Sequence, residues 1–172
     1  EPINRNRESH VESRNYSLST YGRFEDGSDA LQYIFGISKL EFDSDRLDGK
    51  ELLKGQREAS QIYGSLALIR SFTSESNNWQ ISPYLRIDAS YTEFDEFSEI
   101  GGEAALTFDE LTLSNVKASI GTDISYLFVG SQYNVMPYMT LEYGLDYSET
   151  SSQNMYYTVE GPNINYILQL DN

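Results

Sequence analysis

Two of the residue types that most often carry out catalysis are scarce in this sequence of 172 residues, which has one histidine and no cysteine. The one histidine, His10, lies in a polar stretch with no serine and acid arranged around it as a triad requires. Asp88 and Glu142 hold equivalent positions in two similar segments, ISPYLRIDASY from Ile81 and VMPYMTLEYGLDY from Val135. Paired carboxylates can perform acid–base chemistry. Because no other reactive group converges on them, we expect two ordinary polar side chains and no catalytic residue.

The segment FDSDRLDGK, residues 42–50, carries acids at the spacing of a calcium-binding loop. Asp43 and Asp45 fit the first two ligand positions, but Leu47 stands in place of a third ligand and Lys54 in place of the bidentate glutamate. The sequence has no cysteine, so thiolate metal sites are excluded. The segment is interpreted as a solvated acidic loop, and we expect neither a metal nor a cofactor.

Composition narrows the possible partners. The chain has 27 acidic against 12 basic residues, a net charge of −15, and no basic cluster. A nucleic-acid partner is therefore excluded, because phosphate binding requires clustered positive charge. The 14 tyrosines, 8 phenylalanines and one tryptophan argue against disorder. The length fits one domain.

The two similar segments also show the pattern that must position these side chains. From Ile81 onward apolar and polar residues alternate over more than ten positions, which is typical of a long β-strand with unlike faces. The longest wholly apolar run is Leu66–Ile69, too short for a helical membrane span of about 20 residues. Barrel strands need no such run, since only alternate residues face lipid. The pattern predicts about seven strands and no long helix: 13–25, 30–43, 60–73, 79–96, 104–128, 134–148 and 156–170.

The polar rows of these strands mix charges of both signs. Such charges are cheap in a wet lumen, where they pair across strands, and expensive in lipid. We therefore predict that the apolar rows face lipid and that the polar rows line a hydrated lumen. Arg70 is an exception to this prediction, because it lies on the apolar row of Leu68. It is close enough to a turn for its charged end to reach the water at the membrane surface. The predicted lumen-lining residues are Arg86, Asp88, Lys117, Asp123, Glu142 and Asp146.

The predicted connections alternate in length. Short turns at 26–29, 74–78 and 129–132 alternate with longer loops at 44–59, 97–103 and 149–155, where 49–56 also allows a helical turn. Short turns at one end and longer loops at the other are typical of outer-membrane barrels. Aromatic residues stand where interfacial belts would lie. Those beside the short turns are Phe24, Phe72, Trp79, Phe128 and Tyr133, and those towards the other rim are Tyr91, Phe94, Tyr147 and Tyr156.

Four segments in this order resemble the translocator barrel of bacterial autotransporters: IYGSLALIRSF from Ile62, ISPYLRIDASYTEFDEFSE from Ile81, GGEAALTFDELTLSNVKASIGTDISYLF from Gly101 and PYMTLEYG from Pro137. The resemblance implies a monomeric, antiparallel, up-and-down transmembrane β-barrel in the bacterial outer membrane. It also implies a pore without catalytic residues, through which the chain's own passenger domain reaches the cell surface. Outer-membrane lipid and the barrel-assembly machinery are the further partners that it implies.

The resemblance covers residues 16–170, and two departures from it shape the domain prediction. Seven strands are fewer than the family's twelve, and the end NINYILQLDN has no terminal aromatic residue. We therefore expect a fragment of a twelve-stranded barrel, with residues 1–12 as a polar linker or loop and residues 13–172 as a partial barrel domain. Two alternatives remain open at this point: a complete eight-stranded outer-membrane barrel with a structural or adhesive role, and a soluble β-barrel that binds an apolar ligand.

Overall fold

Six long antiparallel strands form the main sheet of the computed structural model, which describes residues 9–49, 51–74, 78–150, 152–162 and 166–168. They are β1 (His10–Asp26), β2 (Asp29–Asp48), β3 (Glu51–Arg70), β5 (Trp79–Phe94), β8 (Leu111–Tyr126) and β11 (Tyr138–Thr150). Each pairs with the next along the chain in the order β1-β2-β3-β5-β8-β11. The architecture is an up-and-down meander, as the alternation predicted.

Seven short strands complete the fold. At the short-turn end of the main sheet lie β4 (Phe72–Thr73), which pairs with β5, and the pair β9 (Phe128–Val129) and β10 (Asn134–Val135). At the opposite end, β6 (Phe97–Ser98), β7 (Leu106–Phe108), β12 (Gln153–Tyr157) and β13 (Tyr166–Leu168) form a four-stranded sheet in the order β13-β12-β7-β6. We call this second sheet the cap sheet. No helix in the described residues could cross a membrane.

The cap sheet continues the hairpins of the main sheet. Phe94 pairs with Leu111 in the main sheet and Phe97 pairs with Phe108 in the cap sheet, so the register is unchanged across the break. The pairing of β8 with β11 likewise continues in β7 and β12. The break between β5 and β6 therefore lies beside the break between β7 and β8. Two acidic residues occupy the second break, Asp109 and Glu110.

Several predicted boundaries were wrong. The predicted loop at 44–59, with its possible helical turn, belongs mostly to β2 and β3, which form one long hairpin closed at Gly49 with a φ of 57°. The predicted strands 104–128 and 156–170 are each divided, the first between β7 and β8 and the second by a turn at 158–160. The first strand begins at His10, inside the segment predicted as linker. Local periodicity missed the ends of β1, β2 and β3, because polar strand residues beyond the apolar band have the composition of loops.

The main sheet has two chemically distinct faces. Cross-strand pairing places apolar residues side by side on one of them, which we call the apolar face, as in the row Phe24, Leu31, Leu68, Leu85, Ile120 and Tyr143. The opposite side, the polar face, carries among others Gln32, Ser38, Gln61, Ser65, Arg86, Lys117 and Ser119.

Burial shows which face the sheet curves around. In the described long strands every buried residue lies on the polar face, for example Ser38, Tyr84 and Ser119. The apolar face remains open, with Leu18 at 73% exposure and Leu145 at 64%. Side chains crowd on the concave side of a curved sheet and spread apart on the convex side. The polar face is therefore the inner, concave face, and the apolar face is the outer one.

Candidate functional site: a polar inner face

The outer face has the height of a membrane-spanning band. On β5 it runs from Ile81 to Tyr91 without a charged side chain, about 33 Å along the strand, or about 25 Å at a tilt of about 40°. The apolar band of an outer-membrane barrel has the same height. Large apolar side chains such as Leu85 and Ile87 stay more than half exposed there, as lipid contact requires.

Aromatic side chains border this band at the short-turn end. Phe24, Phe72 and Trp79 all lie on the outer face with 46–66% exposure. Trp79 packs edge-on against Tyr126 with ring centroids 4.8 Å apart. At the other rim Tyr91 is on the outer face, but Phe94 lies on the polar face beside Phe42, 6.0 Å away. The prediction of Phe94 as a belt residue was wrong, because a difference of three positions reverses the face of a strand residue.

The centre of the inner face holds a connected group that we call the charge cluster: Tyr84, Arg86, Asp88, Lys117 and Glu142. Glu142 on β11 accepts hydrogen bonds from the Tyr84 hydroxyl at 2.6 Å and from the Arg86 Nη2 at 2.9 Å. Arg86 donates its Nε to Asp88 at 2.9 Å, and the Lys117 Nζ lies 3.4 Å from Glu142. The cluster thus joins β5, β8 and β11 on the polar side.

The six predicted lumen-lining residues share this face. Four belong to the charge cluster, where Arg86 separates Asp88 from Glu142, so the two acids are bridged by a cation and do not meet. Asp123 accepts a hydrogen bond from the Thr140 hydroxyl at 2.6 Å, and Asp146 accepts one from the Asn115 amide. Each acid therefore has a donor, and the charged side chains remain about a quarter to a third exposed at Arg86, Asp88 and Glu142. A lumenal role remains a prediction.

One close approach organises the cluster. The hydroxyl end of the Tyr84 ring lies against Gly121 on β8, and any Cβ at that glycine would collide with it. Because glycine leaves the space open, the ring reaches past β8 and its hydroxyl meets Glu142 on β11. The sequence shows Gly121 within the polar row of β8, but only the pairing of β5 with β8 identifies Tyr84 as the residue that contacts it.

Residues at the cap sheet form a second polar site that sequence reasoning missed. Glu99 is 5% exposed and accepts hydrogen bonds from Arg46 Nε at 3.0 Å, Arg46 Nη2 at 2.5 Å and the Leu106 amide at 3.0 Å. Burial raises the pKa of Glu99, but the hydrogen bonds from Arg46 and Leu106 outweigh it, so the pKa lies below its ordinary value. Arg46 also donates to the Ala104 carbonyl at 3.0 Å. This ion pair ties the end of β2 to the loop before β7.

The other sequence candidates do not form a site. Asp43 and Asp45 lie in β2, where the Gln56 amide donates to Asp43 at 2.8 Å and Lys54 lies 3.9 Å from Asp45. Their segment is a strand, so the prediction of a loop was wrong. His10 is exposed at the start of β1. Within the described ranges, no three histidine or acidic side chains are arranged to hold a metal ion.

Comparison with known proteins finds one family whose model matches most of the chain. The model of the family described as "Autotransporter beta-domain" matches residues 3–167. No curated protein matches the chain. Among solved structures, the ferric yersiniabactin uptake receptor FyuA from Yersinia pestis is similar with a TM-score of 0.46 and 8% identity over 87% of this chain and 26% of FyuA. The membrane pore complex of Pneumolysin has a TM-score of 0.13 and 12% identity over 87% and 32% of the two chains. Both likenesses are too weak to assign anything.

Proposed function

Because this chain belongs to the autotransporter β-domain family, whose members are translocator barrels of the bacterial outer membrane, we propose that its polar inner face lines the pore for its own passenger. The family also implies a passenger domain. The observation that carries the proposal is the division of the main sheet into a convex apolar face and a concave face with charged side chains paired to one another. Nothing in the fold or the comparisons favours the small eight-stranded barrel or the soluble barrel.

The lumen in this proposal is lined by Arg86, Asp88, Lys117, Asp123, Glu142 and Asp146. Paired charges suit a transport path, because they keep water in the pore and offer a passing chain no strong unpaired charge to bind. The described part of the sheet leaves β1 and β11 with one neighbour each. Since a free edge is an aggregation hazard, further strands pair with these edges in the closed barrel of the proposal, and twelve is the number that the family resemblance suggests.

The proposal also covers how the barrel is assembled and whether it has a catalytic role. The barrel is monomeric, and the barrel-assembly machinery inserts it into the outer membrane. The domain has no catalytic role of its own, which is supported by the bonding of Glu142 to three neighbours. A carboxylate that is neutralised in this way is a poor general base.

Single cysteines test the pore directly, because this chain contains none. In the full-length protein, with any other cysteine replaced, Asp88→Cys and Ile87→Cys place thiols on opposite faces at neighbouring positions. We expect a membrane-impermeant maleimide to label Asp88→Cys in outer membranes and to leave Ile87→Cys largely unlabelled. A passenger stalled in transit by an engineered disulfide loop should then protect Asp88→Cys from the reagent.

The outcome against the proposal is equally specific. If Ile87→Cys is labelled and Asp88→Cys is not, the assignment of faces is wrong. If Asp88→Cys is labelled equally with and without the stalled passenger, the polar face is hydrated but is not the transport path. The passenger exposed on cells by each variant, measured by protease accessibility, controls for failed assembly.

A further inference from the structure

One cationic residue on the outer face is unexplained by the pore. Arg70 follows Leu68 on the same row of β3 and forms a two-point ion pair with Asp29, with its Nε 2.5 Å and its Nη2 2.6 Å from the carboxylate. Both side chains remain about half exposed, at 60% and 51%. They lie at the short-turn end, which is the periplasmic end in outer-membrane barrels. Arg70 thus stands at the level of the periplasmic phospholipid headgroups.

A groove opens directly beside this ion pair. It is a shallow, open depression of the outer face, with a volume of about 690 Å³. Its apolar part is formed mainly by outer-face side chains of five adjacent strands, and Asp26, Asp29 and Arg70 lie at its polar end. Four residues of the inner-face rows, Glu25, Ala30, Ile69 and Tyr84, also border it. The apolar residues are Phe24, Leu31, Leu68, Pro83, Leu85 and Ile120. An apolar surface that ends in charges matches a molecule with an acyl chain and a charged head.

The charges at the polar end identify the kind of head. Asp26 and Asp29 are paired across the β1–β2 turn, whose Gly27 has a φ of 61° as the first loop residue of a tight hairpin requires. The ion pair with Asp29 occupies two of the five N–H donors of Arg70. Two carboxylates and one guanidinium are complementary to a zwitterion with an ammonium group and a phosphate. A purely anionic head would be repelled by the excess acid.

We propose that this groove binds a phospholipid with a primary ammonium headgroup from the periplasmic leaflet. Its acyl chain lies against Leu31, Leu68 and Leu85. Its phosphate accepts hydrogen bonds from Arg70, and its ammonium group donates to Asp26 and Asp29. The site depends on the placement of the domain in the outer membrane and is independent of passenger transport.

The test is native mass spectrometry of the full-length protein released from detergent micelles. Phosphatidylethanolamine, phosphatidylcholine and phosphatidylglycerol with identical acyl chains are added separately at equal concentrations. We expect phosphatidylethanolamine to bind about tenfold more tightly than phosphatidylcholine, whose quaternary ammonium has no N–H to donate, since a charge-assisted hydrogen bond contributes about this factor. Phosphatidylglycerol should bind no better than phosphatidylcholine.

Variants separate the site from a general effect of charge. Arg70→Gln removes the positive charge that pairs with the phosphate, and Asp26→Asn removes the negative charge of one ammonium partner while leaving the Arg70–Asp29 ion pair intact. Arg70→Gln should weaken the binding of all three lipids by about tenfold, because each of them carries the phosphate. Asp26→Asn should reduce the preference for phosphatidylethanolamine to about twofold or less, because it weakens one hydrogen bond that only the primary ammonium group can donate. Lys39→Gln is the matched control, because Lys39 is also an outer-face cation in an ion pair, with Glu58 at 2.8 Å, but lies near the opposite rim. It should leave the preference unchanged.

Four results would overturn the proposal. The first is equal retention of the three lipids by the unaltered protein, and the second is a preference for phosphatidylglycerol, which would indicate a simple cationic site. The third is a preference for phosphatidylethanolamine that survives Asp26→Asn, and the fourth is lipid binding that falls as much with Lys39→Gln as with Arg70→Gln. If Arg70→Gln fails to fold, the Asp26→Asn variant decides.

Discussion

In the main sheet, the residue type at each position depends on whether the side chain lies on the inner or the outer face. Tyr84 combines both requirements of the inner face, since its ring packs over Gly121 and its hydroxyl bonds to Glu142. Neither role is evident from Tyr84 alone. The contact requires a glycine on one neighbouring strand and a carboxylate on the next.

The Tyr84–Gly121 contact leads to the first prediction. Gly121→Ala should destabilise the folded protein by about 1–3 kcal/mol, because the added Cβ displaces the ring and overpacking costs about this much. The measurement is the urea midpoint of the full-length protein in detergent micelles. Gly144→Ala is the control, since its Cβ would meet mainly the flexible end of Lys117, with Cε 2.6 Å away. Equal losses in the two variants would contradict a specific role for the ring.

At the scale of elements, the hairpins are longer than the membrane requires. β2 and β3 have 20 residues each, whereas about 9–11 span the hydrocarbon. The additional residues lie at the long-loop end, where β2 and β3 extend beside the cap sheet. Two contacts hold them there, the Arg46–Glu99 ion pair and the backbone pairing of Lys54 with Ile100. This end has a small packed core, since Leu53, Ala105 and Thr107 are at most 3% exposed.

The second prediction concerns that core. Leu53→Ala should destabilise the cap by about 2–5 kcal/mol, because it leaves a cavity at a side chain with 0% exposure. Leu52→Ala removes the same atoms from a side chain with 48% exposure and should change stability by less than about 0.5 kcal/mol. Native-state hydrogen exchange of residues 97–108 reports the difference. Loss of protection throughout β5 and β8 as well would show that the cap is no separate unit.

The third prediction concerns pH. The pKa of Glu99 is lowered in the folded state, so its contribution to stability is present above the unfolded value of about 4.3 and is lost as the pH falls through the folded pKa. Hydrogen exchange of residues 99–106, corrected for the intrinsic rate, should therefore accelerate below about pH 4. Glu99→Gln should exchange faster already at pH 7 and lose this dependence. Glu103→Gln, at an exposed position of the same loop, should behave like the unaltered protein.

At the scale of the whole molecule, the domain resembles a soluble protein turned inside out. At the height of the apolar band, the buried residues of the main sheet are small or polar, such as Ala67, Ser82 and Ser119, whereas large apolar residues such as Leu85 are more than half exposed on the outer face. The net charge of −15 does not conflict with a membrane location, because the charged side chains in the described long strands lie on the inner face or at and beyond the edges of the outer apolar band, as Arg70 and Lys39 do.

The fourth prediction tests this arrangement. Leu85→Arg should destabilise the folded protein in vesicles by about 2–4 kcal/mol, the cost of arginine at the bilayer midplane. Asp88→Leu should be tolerated, since Arg86 keeps its hydrogen bond to Glu142 at 2.9 Å. The folded fraction of the full-length protein in vesicles, followed by heat-modifiable migration, measures both. The reverse ranking would exchange the inner and outer faces.

The sequence by itself determined the architecture and the two faces. Period-two alternation is a local property, because each side chain in a strand points to the side opposite to its neighbours. The residues from Ile81 to Tyr91 and from Lys117 to Asp146 could therefore be assigned to faces before any pairing was known. The family resemblance was also present in the sequence, as the match over residues 3–167 confirmed.

Only the tertiary structure decided which residues meet. Glu142 and Tyr84 are 58 positions apart and Arg46 and Glu99 are 53 apart, and the register that joins them is set by the sum of all strand pairings and bends. The same is true of the cap sheet, whose strands of two to five residues are too short to show a periodic pattern in the sequence. Lipid contact leaves a periodic signal in the sequence, whereas contacts between distant polar side chains leave none, and they are formed only when the sheet is assembled.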